Sequence, residues 1–209
     1  HPIFGPIPDV RIPMVPIQSP RIVYATQNPR VITRWKSHLK TALTLARDGA
    51  KPTSYDRSWF KITEDPGEIE RSLQDLIDNP GTLLCFDTET TGLKPWAEGQ
   101  GVVFMMFRWT NKAGKPKSIG FPWDFATSSI KPFIDRLSPT VLKALYSSKI
   151  VGHNTTFDIM FVAANVPGCD LDKLCNAAPY DTWHMAYTMR QQTGSLGLEL
   201  IAYDWAKDM

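Results

Sequence analysis

At 209 residues the chain has room for one α/β domain plus an appendage, and 43% hydrophobic with 21% charged residues is ordinary for a soluble globular protein. A net charge of only +2 provides no global basic field, so nucleic-acid binding would have to come from a local patch. No apolar run approaches the ~20 residues of a membrane span, and the odd count of three cysteines, Cys85, Cys169 and Cys175, reads as reduced thiols of a cytoplasmic protein.

The chain opens on His1 rather than Met, which reads as a processed or artificial start. Residues 1 to 30 hold seven of the seventeen prolines and are expected to be extended or coil, not helix. Ile3, Phe4, Ile7, Val10, Ile12 and Met14 make this segment too apolar for a solvated linker, so it is expected to lie along a surface of this domain or of a partner. Residues 33 to 47 read as a helix capped by Thr33 and ended by Gly49. Trp35, Leu39, Ala42, Leu43 and Ala46 form one stripe, and Arg34, Lys36, His38, Lys40 and Arg47 a basic face. That face is either solvated or in contact with phosphates.

A helix is predicted from Gly67 to Asn79, punctuated by Pro80-Gly81. Residues 82 to 87, 102 to 109 and 117 to 123 read as strands of an antiparallel meander. Residues 130 to 147 carry one or two helices broken at Pro139. A short strand at 149 to 151 follows, and then a dense apolar helix through Val166, with Asn154 or Thr155 as its N-cap. Strands first, then alternating helix and strand, is the order of a ribonuclease H-like mixed sheet flanked by helices. The expected organisation is an arm with an amphipathic helix over 1–66 and an α/β domain over 67–209.

The chemistry concentrates in two stretches. Leu83-Leu-Cys-Phe86 reads as a buried strand that ends in Asp87 and Glu89, and residues i and i+2 of a strand share a face. Two carboxylates side by side repel unless a cation sits between them, and oxygen ligands of this kind suit hard divalent ions. The bland alternative is a strand ending in solvated acids. In the second stretch, Asp158 falls among Phe157, Met160, Phe161 and Ala164, whose helical spacing faces them to the core. Asp158 is therefore expected to point inward and to need a partner, although a carboxylate in a first helical turn is also favoured by the macrodipole. Asp181 reads most simply as the N-cap of a helix from Trp183 to Met189, with a supporting role behind a metal site as the alternative. Trp96, Trp109 and Trp123 read as packing residues.

Taken together, the two stretches resemble the DEDD family of 3′–5′ exonucleases, in particular the proofreading domain of family A, phage-type DNA polymerases. Asp87-Thr-Glu89-Thr-Thr-Gly-Leu93 is similar to the family's first motif, and Gly152-His-Asn154-Thr-Thr-Phe157-Asp158 to its second. Asp181-Thr-Trp-His-Met-Ala-Tyr187 resembles the helix that follows, and Leu196-Gly-Leu-Glu-Leu-Ile-Ala202 the next one. The likeness spans roughly residues 68 to 209. The family also has a fourth carboxylate in a third motif. Tyr203 and Asp208 have the wrong spacing for it, so the domain is expected to be incomplete at its C-terminal end and the isolated chain weak or inactive.

What the resemblance implies is two-metal-ion hydrolysis of a terminal phosphodiester with two Mg²⁺ or Mn²⁺ ions. Asp87, Glu89 and Asp158 would be the catalytic metal ligands. Thr88, Thr90, Leu93, His153, Asn154 and Phe157 would meet the substrate, with Leu93 wedged against the terminal base and Phe157 stacked nearby. Core packing is the alternative for Leu93 and Phe157, and a turn histidine bonded to the local backbone is the alternative for His153. The implied partners are the 3′ end of single-stranded DNA and a polymerase domain of the same parent chain. A replisome protein could meet the N-terminal arm, and no membrane partner is expected. The implied location is the cytoplasm, a phage-infected host's included. Two other readings stay open: an exoribonuclease fragment acting on RNA, and a non-catalytic interaction module with an exonuclease-like fold.

Overall fold

The computed structural model describes residues 19–21, 25, 29–48, 60–124, 127–190, 197–198 and 201–202. Most of the proline-rich start, Gly49, Tyr203 and Asp208 lie outside the described residues, as does much of the expected final helix, of which Leu198, Ile201 and Ala202 are helical. The chain divides into two compact units, His1–Tyr55 and Asp56–Met209. The strand β1 (Phe60–Ile62), which the sequence reading missed, pairs into the sheet of the second unit.

In the first unit, α1 runs Pro29–Asp48. It starts ahead of the expected Thr33, since a proline in a first turn has no N–H that the helix needs. Thr33 is not the cap: its hydroxyl donates to the Pro29 carbonyl (2.8 Å) from within the helix. The expectation that residues 1 to 30 contain no helix is also corrected, since Pro20, Arg21 and Ala25 are helical too. Leu39 and Leu43 of the expected apolar stripe are exposed.

The second unit is built on a six-stranded sheet. α2 (Pro66–Ile77) leads into β2 (Leu83–Thr90), β3 (Val102–Thr110) and β4 (Pro116–Pro122). A single 3₁₀ turn at Lys131–Phe133 precedes α3 (Ile134–Ser147), then β5 (Lys149–Gly152), α4 (Thr155–Asn165), α5 (Leu171–Ala177), β6 (Tyr180–Asp181) and α6 (Thr182–Arg190). The order across the sheet is β1-β4-β3-β2-β5-β6. β2, β3 and β4 are antiparallel, while β5 runs parallel to β2 and β6 parallel to β5. This is the expected mixed α/β sheet, an antiparallel meander plus parallel strands, flanked by helices. Among the described residues, no helix is long and apolar enough to cross a membrane.

One face of the sheet is the core. Leu84, Phe86 and Thr88 of β2 stand opposite Trp109, Phe107 and Met105 of β3, and all six are buried. Onto this face pack Ile69, Leu73 and Leu76 of α2, Val141 and Leu145 of α3, and Phe161 and Val162 of α4, in one cluster. α3 is a single helix through Pro139 rather than two. Pro139 lies in the second turn, so the one backbone bond it removes is that to the Asp135 carbonyl; beside it the Ser138 hydroxyl donates to the Ile134 carbonyl (2.7 Å). α2 is held at its start by Asp65, whose carboxylate accepts from the Gly67 N–H (2.8 Å). Asp65→Ala is expected to cost about 1 kcal/mol and to lower the melting temperature by roughly 2–4 °C, as read by thermal denaturation. An unchanged melting point would mean that burial of Ile69, Leu73 and Leu76 alone holds the helix.

β2 is longer than the sequence suggested. The ladder with β3 continues past the apolar run, pairing Asp87 with Met106 and Glu89 with Phe104 before a bulge at Glu89/Thr90. The two acids therefore lie within the strand rather than at its end. Cys85, expected in a buried strand, is exposed on their face, and all three cysteines are free.

Candidate active site

Side chains alternate strictly along β2. Leu84, Phe86 and Thr88 point into the core, while Cys85, Asp87 and Glu89 point out of it. Asp87 and Glu89 thus share a face, as the spacing predicts. The pKa of Asp87 is raised, first by its partial burial and then by the charge of Glu89, with His153 acting in the opposite direction.

The third acid arrives from α4. Asp158 is 3% exposed, so it does point inward. Its partner is protein: Oδ1 accepts from the Thr88 N–H (2.9 Å) and from the Thr88 hydroxyl (2.7 Å). Thr88 is the residue between Asp87 and Glu89, so the third acid is tied to the backbone of the first two. Burial raises the Asp158 pKa to about 6. The bonds from Thr88 pull it down and the charge of Asp87 pushes it up. The apolar stripe of α4 is rotated from the expected one: Ile159, Phe161 and Val162 are buried, whereas Phe157, Met160 and Ala164 are only partly so.

The turn ahead of α4 is tightly specified. Asn154 takes a left-handed conformation (φ 62°, ψ 45°) and, although it holds the N-cap position, makes no side-chain cap bond; Thr155 is already helical. The caps come from Asp181 instead. Its Oδ1 accepts from the Asn154 N–H (3.0 Å) and its Oδ2 from the Thr155 N–H (2.8 Å). At Gly152 a Cβ would lie 2.9 Å from the Thr155 hydroxyl and 3.1 Å from the Phe86 carbonyl, which leaves no room for a side chain.

His153 is bonded to a side chain, not to the local backbone. Its Nδ1 lies 3.0 Å from the Thr182 hydroxyl, and that hydroxyl donates its single proton to the Gly152 carbonyl (3.0 Å). With that proton on Gly152, Thr182 is left to accept from His153 Nδ1, which fixes the orientation of the ring. His153, Thr182 and Asp87 line one cavity of about 450 Å³ with Phe86, Met106 and Arg108.

The remaining expected contacts divide. Leu93 is 82% exposed, so it is not a core residue. The Asn154 side chain is exposed. Phe157 is half-buried against Phe161 (ring centroids 4.8 Å) and packs on the core. The Thr90 hydroxyl closes a turn onto the Gly92 carbonyl (2.7 Å). Thr88 has both its N–H and its hydroxyl on Asp158 and is buried, so its part is to tie the acids together. Of the tryptophans read as packing residues, Trp109 and Trp123 are buried and Trp96 is exposed. The sequence reading missed Thr182; it saw Asp181 as the cap of its own helix, with support of a metal site as the alternative, and not as a cap on α4. Neither long-range role leaves a local pattern.

Among the described residues, no three Asp, Glu, His or Cys side chains form a ready-made metal cluster. The chemistry of the donor set nevertheless fits a hard cation. Asp87 couples to Glu89 and to Asp158 through like charge, and the carboxyl groups of Asp87 and Asp158 are held above their ordinary range.

No family model and no curated protein matches the chain. Several solved structures are similar to it, and two of them are these. The Aedes aegypti Nibbler EXO domain shares 15% identity over 69% of this chain and 62% of that one, with a TM-score of 0.39. The Trypanosoma brucei RNase D in complex with RNA U12 shares 11% identity over 50% of this chain and 32% of that one, with a TM-score of 0.35. The chain thus spans less than two thirds of the first protein and about a third of the second.

Proposed function

We propose that this chain carries the site of a metal-dependent 3′–5′ exonuclease that trims single-stranded DNA ends, as the proofreading part of a DNA polymerase. The observation that carries this reading is the bond pair from Thr88 to Asp158, which fixes a buried acid to the one residue separating Asp87 from Glu89. Three acids held together in this way destabilise the fold unless positive charge joins them.

Asp87, Glu89 and Asp158 would hold Mg²⁺ or Mn²⁺. When bound, such ions supply an activated water and neutralise the phosphoryl oxygens. The chain's own residues do the rest. Leu93 presents an exposed apolar side chain to a terminal base, a contact that tolerates any sequence, and the exposed Asn154 side chain is free to hydrogen-bond the terminal nucleotide. His153, oriented by Thr182, stands on the cavity that Asp87 also lines, within reach of a bound nucleotide. The partners in this reading are a DNA 3′ end and a polymerase domain of the parent chain, in the cytoplasm, with the N-terminal arm available to a replisome protein.

The test is digestion of a 3′-labelled single strand, as DNA and as RNA of the same sequence, by the full natural protein with Mg²⁺ or Mn²⁺. Release of the label from DNA, faster than from RNA and stopped by EDTA, is the expected result. Trimming of RNA with DNA untouched would move the site to the exoribonucleases. Trimming of neither, together with no calorimetric Mn²⁺ binding, would make the chain an interaction module.

A further inference from the structure

We propose that Asp181 is the positioning residue of the candidate site: its one carboxylate closes two helices and so fixes where Asp158 stands against Thr88. The functional half of this inference rests on the exonuclease reading. The structural half does not.

The first N–H groups of a helix have no partner within it. At α4 they receive none from the local side chain, because Asn154 makes no cap bond. Asp181, from β6, accepts from the Asn154 and Thr155 N–H groups. The same carboxylate accepts at the start of α6 from the Trp183 N–H (2.8 Å) and the His184 N–H (3.4 Å), and Oδ2 also lies 3.1 Å from His184 Nδ1. Its side chain is only 13% exposed, so water competes little for these bonds. Burial acts to raise the Asp181 pKa, but bonds from Trp183, Asn154, His184 and Thr155 hold it below the ordinary range. A second tie joins the same elements: the Thr155 hydroxyl donates to the Tyr180 carbonyl (3.3 Å).

The path to the site is short. Thr155, capped by Asp181, and Asp158 both lie in the first turn of α4, so a displacement at the capped end moves the carboxylate directly. Asp158 in turn grips Thr88, and Thr88 stands between Asp87 and Glu89. Loss of Asp181 therefore loosens α4 at the end that presents the third acid. An ordinary helix cap has no such consequence. Asp170 provides the comparison: it caps α5 through the Lys173 N–H (3.1 Å) and touches nothing in the site.

The experiment compares Asp181→Ala, Asp181→Asn and Asp170→Ala with the parent protein. Three quantities are measured: the melting temperature, Mn²⁺ affinity by calorimetry, and the Thr88 amide resonance in ¹H–¹⁵N spectra in EDTA. Asp181→Ala is expected to shift the Thr88 amide and to weaken Mn²⁺ binding roughly 10–100-fold. Asp181→Asn, which keeps an acceptor oxygen, should do so less. Asp170→Ala should lower the melting temperature and leave the Thr88 amide in place. An unmoved Thr88 amide in both Asp181 variants would overturn the proposal, as would an effect no larger than that of Asp170→Ala. Should Asp181→Ala fail to fold, Asp181→Asn decides by the same two readouts. If the parent protein binds no Mn²⁺, the exonuclease reading fails, and the Thr88 amide still decides the role of Asp181.

Discussion

Asp158→Asn is expected to remove metal-dependent trimming while making the metal-free protein more stable. The substitution keeps the shape of the side chain, and its amide oxygen can still accept from the Thr88 N–H and hydroxyl. What disappears is the charge. If metal neutralisation at this site contributes several kcal/mol to the barrier, the loss of one anionic ligand lowers the rate by about 10³-fold. Stability moves the other way, and the sign follows from the pKa. Asp158 sits at about 6, above its ordinary 3.8. Between these values the folded protein holds a proton that the unfolded chain has released, so stability falls as pH rises through this window. That contribution is fully present below about pH 4 and is lost once pH exceeds about 6. A shift of roughly two units corresponds to about 3 kcal/mol. In EDTA the parent should therefore melt at a higher temperature at pH 5 than at pH 7.5. Asp158→Asn should lose most of that difference and exceed the parent at pH 7.5 by about 1–3 kcal/mol. Added Mn²⁺ should stabilise the parent and leave the variant unmoved. A variant less stable than the parent at pH 7.5 in EDTA would show that burial of the amide costs more than burial of the charge.

Legibility in the sequence followed the range of the interactions. The pairing of Asp87 with Glu89 is a nearest-neighbour consequence of strand geometry, and it was readable. So was the inward orientation of Asp158, because helical spacing is local. The end of β2 was misplaced because Leu83 and Cys85 are apolar on the outward face and hide the alternation; the run looked buried on both sides and seemed to stop at the first charge. The stripe of α4 was rotated because Ile159 and Val162 are as apolar as the Phe157 and Met160 chosen in their place. β1 escaped notice because three residues carry no periodicity, and it exists through its pairing with β4. Asp181 was half-read. Its cap on α6 lies within three residues, whereas its caps on α4 lie 26 and 27 residues away and appear only in the fold.

Phe107→Ala is expected to produce the largest loss of stability, about 3–5 kcal/mol. The side chain is fully buried on the core face of β3, opposite Phe86 and beside Ile119. Its ring meets Phe86 edge-on (centroids 5.0 Å apart, planes at 62°) and stacks on Phe121 (5.6 Å, 15°). Truncation removes both aromatic contacts along with the buried area, in a protein whose whole margin is of order 5–15 kcal/mol. Guanidinium unfolding should show a lower midpoint with an unchanged slope, the mark of a less stable native state of the same extent. The candidate site should keep its function, because Asp87 and Glu89 point away from the face that Phe107 fills and the Thr88 bonds to Asp158 lie one cross-strand pair further along that face. Trimming per folded molecule by Phe107→Ala, measured well below its melting temperature, should therefore match the parent, in contrast to Asp158→Asn. Loss of activity in step with stability would mean that the outward face depends on the packing beneath it. A one-residue slip of β2 against β3 would then be the suspect, since it would turn Asp87 into the core and Phe86 out of it.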